Sequence, residues 1–185
     1  MAVFPVVLDS CVLYPMYLRD TLLCAAEVGL FQPHWSGEIL DGAFRNLIQD
    51  NRIDKNKSQR LQQLMNRAFP EAMVKVTPKL IPCMDNHRGD RHVLATALIA
   101  KAQVIVTNNL KHFPSISLNQ FQVEAKSADD FLTSVFDLSP EKMQMVLENQ
   151  VQGKTNPKLT ILDLLERLQN QAPTFVTKYQ QFYGK

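Results

Sequence analysis

Oxygen-bearing side chains follow two short apolar segments of this sequence. Asp9 comes directly after VVL, and Thr107, Asn108 and Asn109 come directly after VIV. An apolar run of this kind is typical of a buried strand, where a charge is costly unless it is paired or holds a metal ion. Because ligands bind at the carboxyl ends of strands in open parallel sheets, these positions predict a binding cleft.

Two predicted helices begin with further polar residues. Asp90 opens the apolar segment DRHVLATALIAK, and Ser36 is a good N-cap for a helix over residues 37–50. Strand ends and helix starts can meet at one edge of a sheet, which would gather Asp9, Asp90, Asn109 and a residue of helix 37–50. Oxygen donors without a Cys or His cluster favour Mg²⁺ or Mn²⁺. Such an ion best supports hydrolysis of a phosphate ester.

Each of these residues also has an ordinary structural interpretation. An Asp after a strand is often a turn or cap residue, and an Asp before an apolar helix is often its N-cap. Asn109 is also typical of a turn residue with a left-handed backbone. Taken together, the order and spacing of the three residues favour a functional site.

The elements that would position these residues alternate between strand and helix, which predicts an α/β domain with a parallel sheet ending near residue 126. The segment 31–35 is expected to be a linker or a brief strand. The predicted strands are 3–8, 73–76, 103–106 and 121–124, and the predicted helices are 18–29, 37–50, one ending near 68, and 90–101.

The pattern after residue 126 is helical. Residues 128–136 and 140–151 have helical periodicity, and a loop is expected over 152–158. Thr160 and Asp163 match a capping box, and Pro173 suits the first turn of a last helix that ends near Tyr183. We therefore divide the chain into an α/β domain over residues 1–130 and an all-helical extension over residues 131–185.

Composition sets wider limits. The 185 residues carry a net charge of +2, which permits a nucleic-acid partner without indicating one. Cys11, Cys24 and Cys83 lack metal-site spacing, which predicts reduced, buried thiols in a cytoplasmic protein. No apolar stretch is long enough to span a membrane, so a membrane location is not expected.

The residues described so far resemble a PIN domain, the metal-dependent nuclease module of VapC-type toxins. The resemblance covers residues 3–131 and rests on VVLDSCVLYP, WSGEILDGAFRNL, DRHVLATALIAKAQVIVTNNLKHFP and SADDF. The tail resembles the helical C-terminal extension of one VapC-like subgroup. The family implies a sheet of four or five parallel strands flanked by helices, an acidic site with Mg²⁺ or Mn²⁺, RNA cleavage, a homodimer and an antitoxin partner.

The resemblance also implies roles for single residues. Asp9 matches the first acid of the family's site, and Asp90 matches the third. Asn109 matches the polar fourth position and is expected to be catalytic with Asp9, Asp90 and Glu38, while Thr107 matches the hydroxyl that commonly precedes it and is expected to contact the substrate. Asp9 and Asp90 are therefore expected to be the metal ligands.

The sequence departs from the family at two positions. Gly42 stands where the family usually has a Glu, and His112 stands where an acid usually precedes the Phe. Glu38 lies one turn before Gly42 on the same helix face, so it is preferred to Asp41 as a substitute ligand; its structural alternative is a first-turn acid favoured by the helix dipole. For His112, a phosphate contact or a nitrogen ligand preferring Mn²⁺ competes with an exposed turn residue, which is favoured.

RNA binding requires basic residues near the cleft. Arg88, Arg91 and Lys111 flank the candidate acids and are the expected phosphate contacts. The basic residues over 52–60 are better explained as a solvated helix face. Trp35 and Tyr14 could stack on bases, but their apolar surroundings favour core packing.

Three functions remain open from the sequence. The first is an active ribonuclease, and the second is a degenerate PIN domain that binds RNA or a protein without cutting. The third is a haloacid-dehalogenase-type phosphatase, which is disfavoured because Cys11 stands where a second Asp is needed. The tail could cover a face of the domain, form a dimer contact or receive an antitoxin.

Overall fold

A computed structural model describes residues 3–154 and 158–184. Within them a parallel sheet has the strand order β3-β2-β1-β4-β5. The α/β class and the parallel sheet of the sequence prediction are confirmed. The strands are β1 (Pro5–Leu8), β2 (Gln32–Ser36), β3 (Met73–Val74), β4 (Val104–Val106) and β5 (Glu124–Lys126).

Helices occupy the connections between successive strands. Short 3₁₀ turns, Ile81–Cys83, Arg88–Asp90 and Leu110–His112, supplement them. Buried apolar residues of the fifth helix, among them Val93 and Leu94, pack against the middle of the sheet. The helices of the α/β part are α1 (Ser10–Leu13), α2 (Met16–Glu27), α3 (Gly37–Gln49), α4 (Lys55–Ala68), α5 (Arg91–Ala100) and α6 (Ser115–Asn119).

The direction of winding reverses at the centre of the sheet. From β1 the chain moves outward to β2 and β3, and it then returns to place β4 on the other side of β1. The carboxyl ends of β1 and β4 lie side by side, because Leu8 pairs with Val106 and the Asp9 backbone N–H donates to the Val106 carbonyl over 3.0 Å. Such a reversal point is where open α/β sheets bind ligands.

The core explains the composition of the central strands. Val6, Val7 and Leu8 are all 0% exposed, as expected for a parallel strand covered on both faces. Trp35 is also 0% exposed, and its indole N–H donates to Asn66 Oδ1 over 3.3 Å. Core packing of Trp35 is therefore confirmed.

Three local predictions require correction or choice. The segment 31–35 is the strand rather than the linker, and Pro33 obscured it because proline has no N–H for a sheet ladder. The strand expected at 121–124 lies at Glu124–Lys126, since Gln122 has a φ of 55° and belongs to the preceding turn. Cys83 is exposed, so the prediction of three buried thiols is wrong for it.

The C-terminal helices pack on the α/β part. Gln150 accepts a hydrogen bond from Thr21 Oγ1 over 2.8 Å and donates to the Tyr17 carbonyl over 3.1 Å. Lys154 forms a 2.7 Å ion pair with Asp20. The extension thus covers a face of α2. Its helices are α7 (Ala128–Leu138), α8 (Pro140–Gln152), α9 (Ile161–Leu168) and α10 (Pro173–Tyr183).

The helix boundaries of the extension follow the sequence closely. The capping box of Thr160 and Asp163 is present at the start of α9, and Pro173 begins α10. The loop predicted over 152–158 lies partly outside the described residues, and α8 continues to Gln152.

Asp129 of α7 caps a helix far from it in sequence. Its carboxylate accepts from the backbone N–H groups of Thr174 and Phe175 over 3.1 and 2.8 Å, while Ala172 at the N-cap position of α10 supplies no side chain for this. We expect Asp129→Ala to lower the free energy of unfolding by about 1–2 kcal/mol, since a lost cap leaves two N–H groups without an acceptor. Urea denaturation followed by circular dichroism measures this.

Asp137→Ala is the matched control for that change. Asp137 lies on the same helix and pairs with Lys178 of the same partner helix, but this ion pair is largely exposed. An exposed pair contributes less than about 1 kcal/mol. Equal losses in the two variants would contradict the capping role of Asp129.

Candidate active site

Asp9 stands between the end of β1 and the start of α1. Its backbone is extended, and its side chain accepts from the Ser10 backbone N–H over 2.6 Å, as an N-cap does. The cap interpretation from the sequence is thus correct, but it accounts for only one of the two carboxylate oxygens.

The second oxygen of Asp9 faces β4. Asp9 Oδ2 accepts from Thr107 Oγ1 over 2.7 Å and from the Cys11 thiol over 3.3 Å, and the residue is only 1% exposed. Throughout the described part of the chain, no Lys, Arg or His nitrogen lies within 4 Å of this carboxylate. Hydrogen bonds therefore orient the carboxylate, while no cationic side chain pairs with it.

Cys11 supports Asp9, which the sequence analysis did not foresee. Burial, followed by the nearby charge of Asp9, raises the pKa of Cys11 to about 12, so the side chain is a thiol at neutral pH. The Asn108 backbone N–H donates to its sulfur over 3.2 Å, which orients the thiol. The signal was available, because Cys11 lies two residues after Asp9 at the start of a helix.

Thr107 contacts Asp9 directly, and Asn109 is connected to Thr107 through its backbone. Thr107 is 0% exposed and accepts from the Asn109 backbone N–H over 3.1 Å. Asn109 has a φ of −94°, so the left-handed turn considered from the sequence is wrong. Asn108 accepts from the Ala128 backbone N–H over 3.1 Å and so attaches the start of α7 to the end of β4.

Asp90 precedes α5 without capping it. Its side chain makes no capping hydrogen bond, and one oxygen instead lies 2.5 Å from His112 Nδ1. The His112 backbone N–H donates to the Asn109 carbonyl over 2.8 Å. A continuous series of hydrogen bonds therefore runs from Asp9 through Thr107, Asn109 and His112 to Asp90.

His87 also belongs to this group, although no motif in the sequence singled it out. Its ring stacks on His112, with centroids 3.9 Å apart and planes at 13°, and its Nδ1 lies 3.9 Å from Asp90 Oδ2. One ligand atom from each of the three residues lies within 4.8 Å of the others. The expectations of a site without clustered histidines and of His112 as an exposed turn residue are both wrong, since the His112 side chain is 25% exposed and contacts Asp90.

The candidate residues on α3 are placed differently. Glu38 has a side chain that is 60% exposed and lies 4.0 Å from His92 Nδ1. Within the described residues, no hydrogen bond or ion pair joins Glu38 to Asp9 or Asp90. A Cβ at Gly42 would lie 3.3 Å from Ser10 Cβ, so the backbone of α3 approaches the start of α1 closely there.

The basic candidates lie within two residues of Asp90 or His112 in the sequence, and they differ in their contacts. Arg88 and Lys111 are exposed, and neither forms an ion pair with any described residue. Arg91 is half-buried, and its Nε donates to the Asn86 carbonyl over 3.3 Å. Arg88 and Lys111 are therefore available to a ligand, and Arg91 also holds the loop before α5.

A hollow of about 320 Å³ lies beside α1. It is lined by Cys11, Tyr14, Asn46 and Asp50, and the Tyr14 hydroxyl donates to the Asp50 carboxylate.

In the described ranges no helix is both long and apolar enough to cross a bilayer.

The protonated state of Cys11 has a chemical consequence. A thiol with a pKa of about 12 is only about one part in 10⁴ thiolate at pH 8, and the thiolate is the nucleophile. We therefore expect iodoacetamide at pH 8 to alkylate the exposed Cys83 well before Cys11. Peptide mass spectrometry after timed quenching measures both rates.

The same reaction in concentrated urea is the control for sequence effects on alkylation. Unfolding removes the burial and the Asp9 contact, so the two cysteines should then react at similar rates. Equal rates in the folded protein would contradict the environment described for Cys11.

Comparisons with known proteins agree with this architecture. Residues 5–111 match the family model described as PIN domain, and residues 128–181 match the one described as VapC50 C-terminal domain. A protein of Mycobacterium tuberculosis named "Putative ribonuclease VapC50" is 42% identical over 104 residues, which are 56% of this chain and 62% of that relative. The match therefore spans less than two thirds of the relative's length. No solved structure matches the chain significantly. Because the first model covers more than half of the chain, this protein belongs to the PIN-domain family and has a C-terminal segment of the VapC50 type.

Proposed function

We propose that the protein is an endoribonuclease that hydrolyses RNA phosphodiesters with the help of Mg²⁺ or Mn²⁺. The observation that carries this proposal is the buried Asp9 carboxylate, which lies at the reversal point of the sheet and has no ion-pair partner among the residues that the structure describes. A buried charge in this position is best compensated by a bound cation. The relative named as a ribonuclease supports RNA as the substrate.

The donor set suits a hard divalent ion. Asp9 and Asp90 would supply carboxylate oxygens, and Asn109, whose backbone bonds with Thr107 and His112, would supply an amide oxygen. When bound, the ion would polarise a phosphoryl oxygen and make hydroxide available near neutral pH. Thr107 would hold Asp9 in its orientation, because its hydroxyl donates to Oδ2.

Other residues would bind the substrate. Arg88, two residues before Asp90, and Lys111, directly before His112, are exposed and would contact RNA phosphates, and Arg91 would contribute from the start of α5. Glu38 remains a candidate catalytic residue, since its exposed side chain extends from α3 towards His92, two residues after Asp90.

The division of labour along the chain is also a proposal. Residues 1–130 would carry the nuclease, and residues 131–185 would form the extension that covers α2. The protein would act in the cytoplasm as a homodimer and would be silenced by an antitoxin. These features follow from membership of the toxin-like subgroup rather than from any contact described above.

Asp9→Asn tests the nuclease directly. An amide carries no anionic oxygen, and its NH₂ group would face either the Thr107 hydroxyl or the Ser10 N–H. We expect metal-dependent cleavage of labelled RNA to fall roughly 100-fold or more, and calorimetric Mn²⁺ binding to weaken with it. Cleavage by the wild type should stop in EDTA.

Asp41→Asn provides the matched control, because Asp41 carries the same charge on an exposed position of α3. Its cleavage rate should equal that of the wild type. Thermal melting of both variants distinguishes a lost ligand from a lost fold. Full cleavage by a folded Asp9→Asn protein would exclude the proposed function.

Gly42→Glu tests whether the missing acid weakens the site. Position 42 faces Ser10, next to Asp9, so a carboxylate there would add negative charge beside the proposed ion. We expect Mn²⁺ affinity to increase about tenfold, because affinity rises with the number of charged ligands. Calorimetric titration measures the change.

Gly42→Ala separates charge from packing. It introduces the same Cβ contact of 3.3 Å with Ser10 but no carboxylate, so its Mn²⁺ affinity should stay at the wild-type value. If the wild type neither binds Mn²⁺ nor cuts RNA while Gly42→Glu binds it, the protein is the catalytically degenerate PIN domain that Gly42 and His112 suggest.

A further inference from the structure

We infer that His87, Asp90 and His112 together form a binding site for a first-row transition-metal ion of the Zn²⁺ type. The inference rests on the proposed function in that the proposed nuclease site also includes Asp90. The two sites differ in their other ligands, because the Zn²⁺-type site uses two imidazoles where a Mg²⁺ site would use acidic side chains.

The three side chains are close enough to share one ion. His112 Nδ1 is 2.5 Å and His87 Nδ1 is 3.9 Å from the same oxygen of Asp90, and one ligand atom per residue lies within 4.8 Å of the others. Ligands of one ion with metal–ligand distances of about 2.1 Å are separated by at most about 4.2 Å. Small side-chain rotations would therefore bring the three atoms to one ion.

The backbone holds the two loops of the site together. The His87 N–H donates to the His112 carbonyl over 3.1 Å, and the Asp90 N–H donates to the His87 carbonyl over 2.9 Å. Asn86 is 2% exposed and donates to the same His112 carbonyl over 3.4 Å. The two loops that carry the ligands are therefore held together by hydrogen bonds of the backbone and of Asn86.

The local contacts of His87 and Asp90 are compatible with binding an ion. The Gly89 N–H donates to His87 Nδ1 over 3.3 Å, so this nitrogen faces a donor at the position where an ion would bind. Asp90 does not use its carboxylate to cap α5, although it stands at the N-cap position. One oxygen of that carboxylate contacts His112 instead.

The chemistry of the ligands selects the class of ion. Two imidazoles and one carboxylate favour Zn²⁺, Co²⁺ or Mn²⁺ over Mg²⁺, which prefers oxygen ligands. The His87 side chain is 55% exposed and that of His112 is 25% exposed, so an ion can enter from solvent. Three protein ligands also leave positions for water or a phosphate oxygen.

Metal-stripped wild-type protein is first titrated with Zn²⁺ and with Mg²⁺ by calorimetry. We expect Zn²⁺ to bind at least about tenfold more tightly than Mg²⁺, with one ion per chain. Co²⁺ provides an independent signal, because imidazole coordination produces visible absorption bands. Equal affinities for Zn²⁺ and Mg²⁺, or no binding of Zn²⁺, would overturn the inference.

His87→Gln and His112→Gln locate the site. Each should weaken Zn²⁺ binding at least about tenfold and reduce the Co²⁺ bands, since even the loss of an outer-shell partner costs that much. His92→Gln is the matched control, because His92 is close in sequence but faces Glu38 and lies outside the cluster. Unchanged Zn²⁺ binding in both cluster variants, or an equal loss in His92→Gln, would overturn the inference.

Separate control measurements address the folding of the variants and the cleavage of RNA. Melting temperatures in EDTA show whether each variant folds, and the stabilisation of the wild type by added Zn²⁺ should be absent from the two cluster variants. Asp9→Asn should keep its Zn²⁺ affinity while losing RNA cleavage. RNA cleavage without selective Zn²⁺ binding would refute only this inference, whereas selective Zn²⁺ binding without metal-dependent cleavage would refute only the proposed nuclease.

Discussion

The carboxylate of Asp9 is buried at the carboxyl ends of the central strands, where the winding of the sheet reverses. Its hydrogen bonds connect the elements around it. Ser10 and Cys11 donate from α1, while Thr107 donates from the end of β4. A buried carboxylate needs such donors, because its desolvation costs several kcal/mol when it is left unpaired. This side chain, together with Cys11, therefore fixes the start of α1 relative to the end of β4.

This arrangement extends to the helical extension through Asn108. Its backbone N–H orients the Cys11 thiol, and its side-chain oxygen accepts from Ala128 at the start of α7. The same short segment thus supports Asp9 and sets where the C-terminal helices begin. The extension then returns to α2, where Gln150 bonds with Thr21 and Tyr17. The extension and the candidate site are consequently connected by hydrogen bonds through Asn108.

The sequence was sufficient where the signal was local. The apolar run before Asp9 and the run before Thr107 predicted adjacent strand ends, and the Thr160–Asp163 spacing predicted a capping box. It failed where partners are distant or unusual. His87 and His112 meet only because two irregular loops pair through backbone hydrogen bonds, which no periodicity reports. For residues 31–35 the sequence left a linker and a brief strand open, and the structure has the strand β2 there.

The two departures from the family pattern both reduce the negative charge of the candidate site. Gly42 and His112 each stand where the family usually has an acid, so the cleft has two fewer carboxylates than the usual acidic site. Weaker charge reduces the attraction for Mg²⁺, which depends mainly on anionic oxygens, but imidazole nitrogens retain affinity for softer ions. In the proposed nuclease, the same change would lower the repulsion of an RNA phosphate, and the exposed Arg88 and Lys111 would increase its attraction. Loss of acids would then trade affinity for a hard ion against easier approach of the substrate, and the proposed activity would depend on which metal ion is bound.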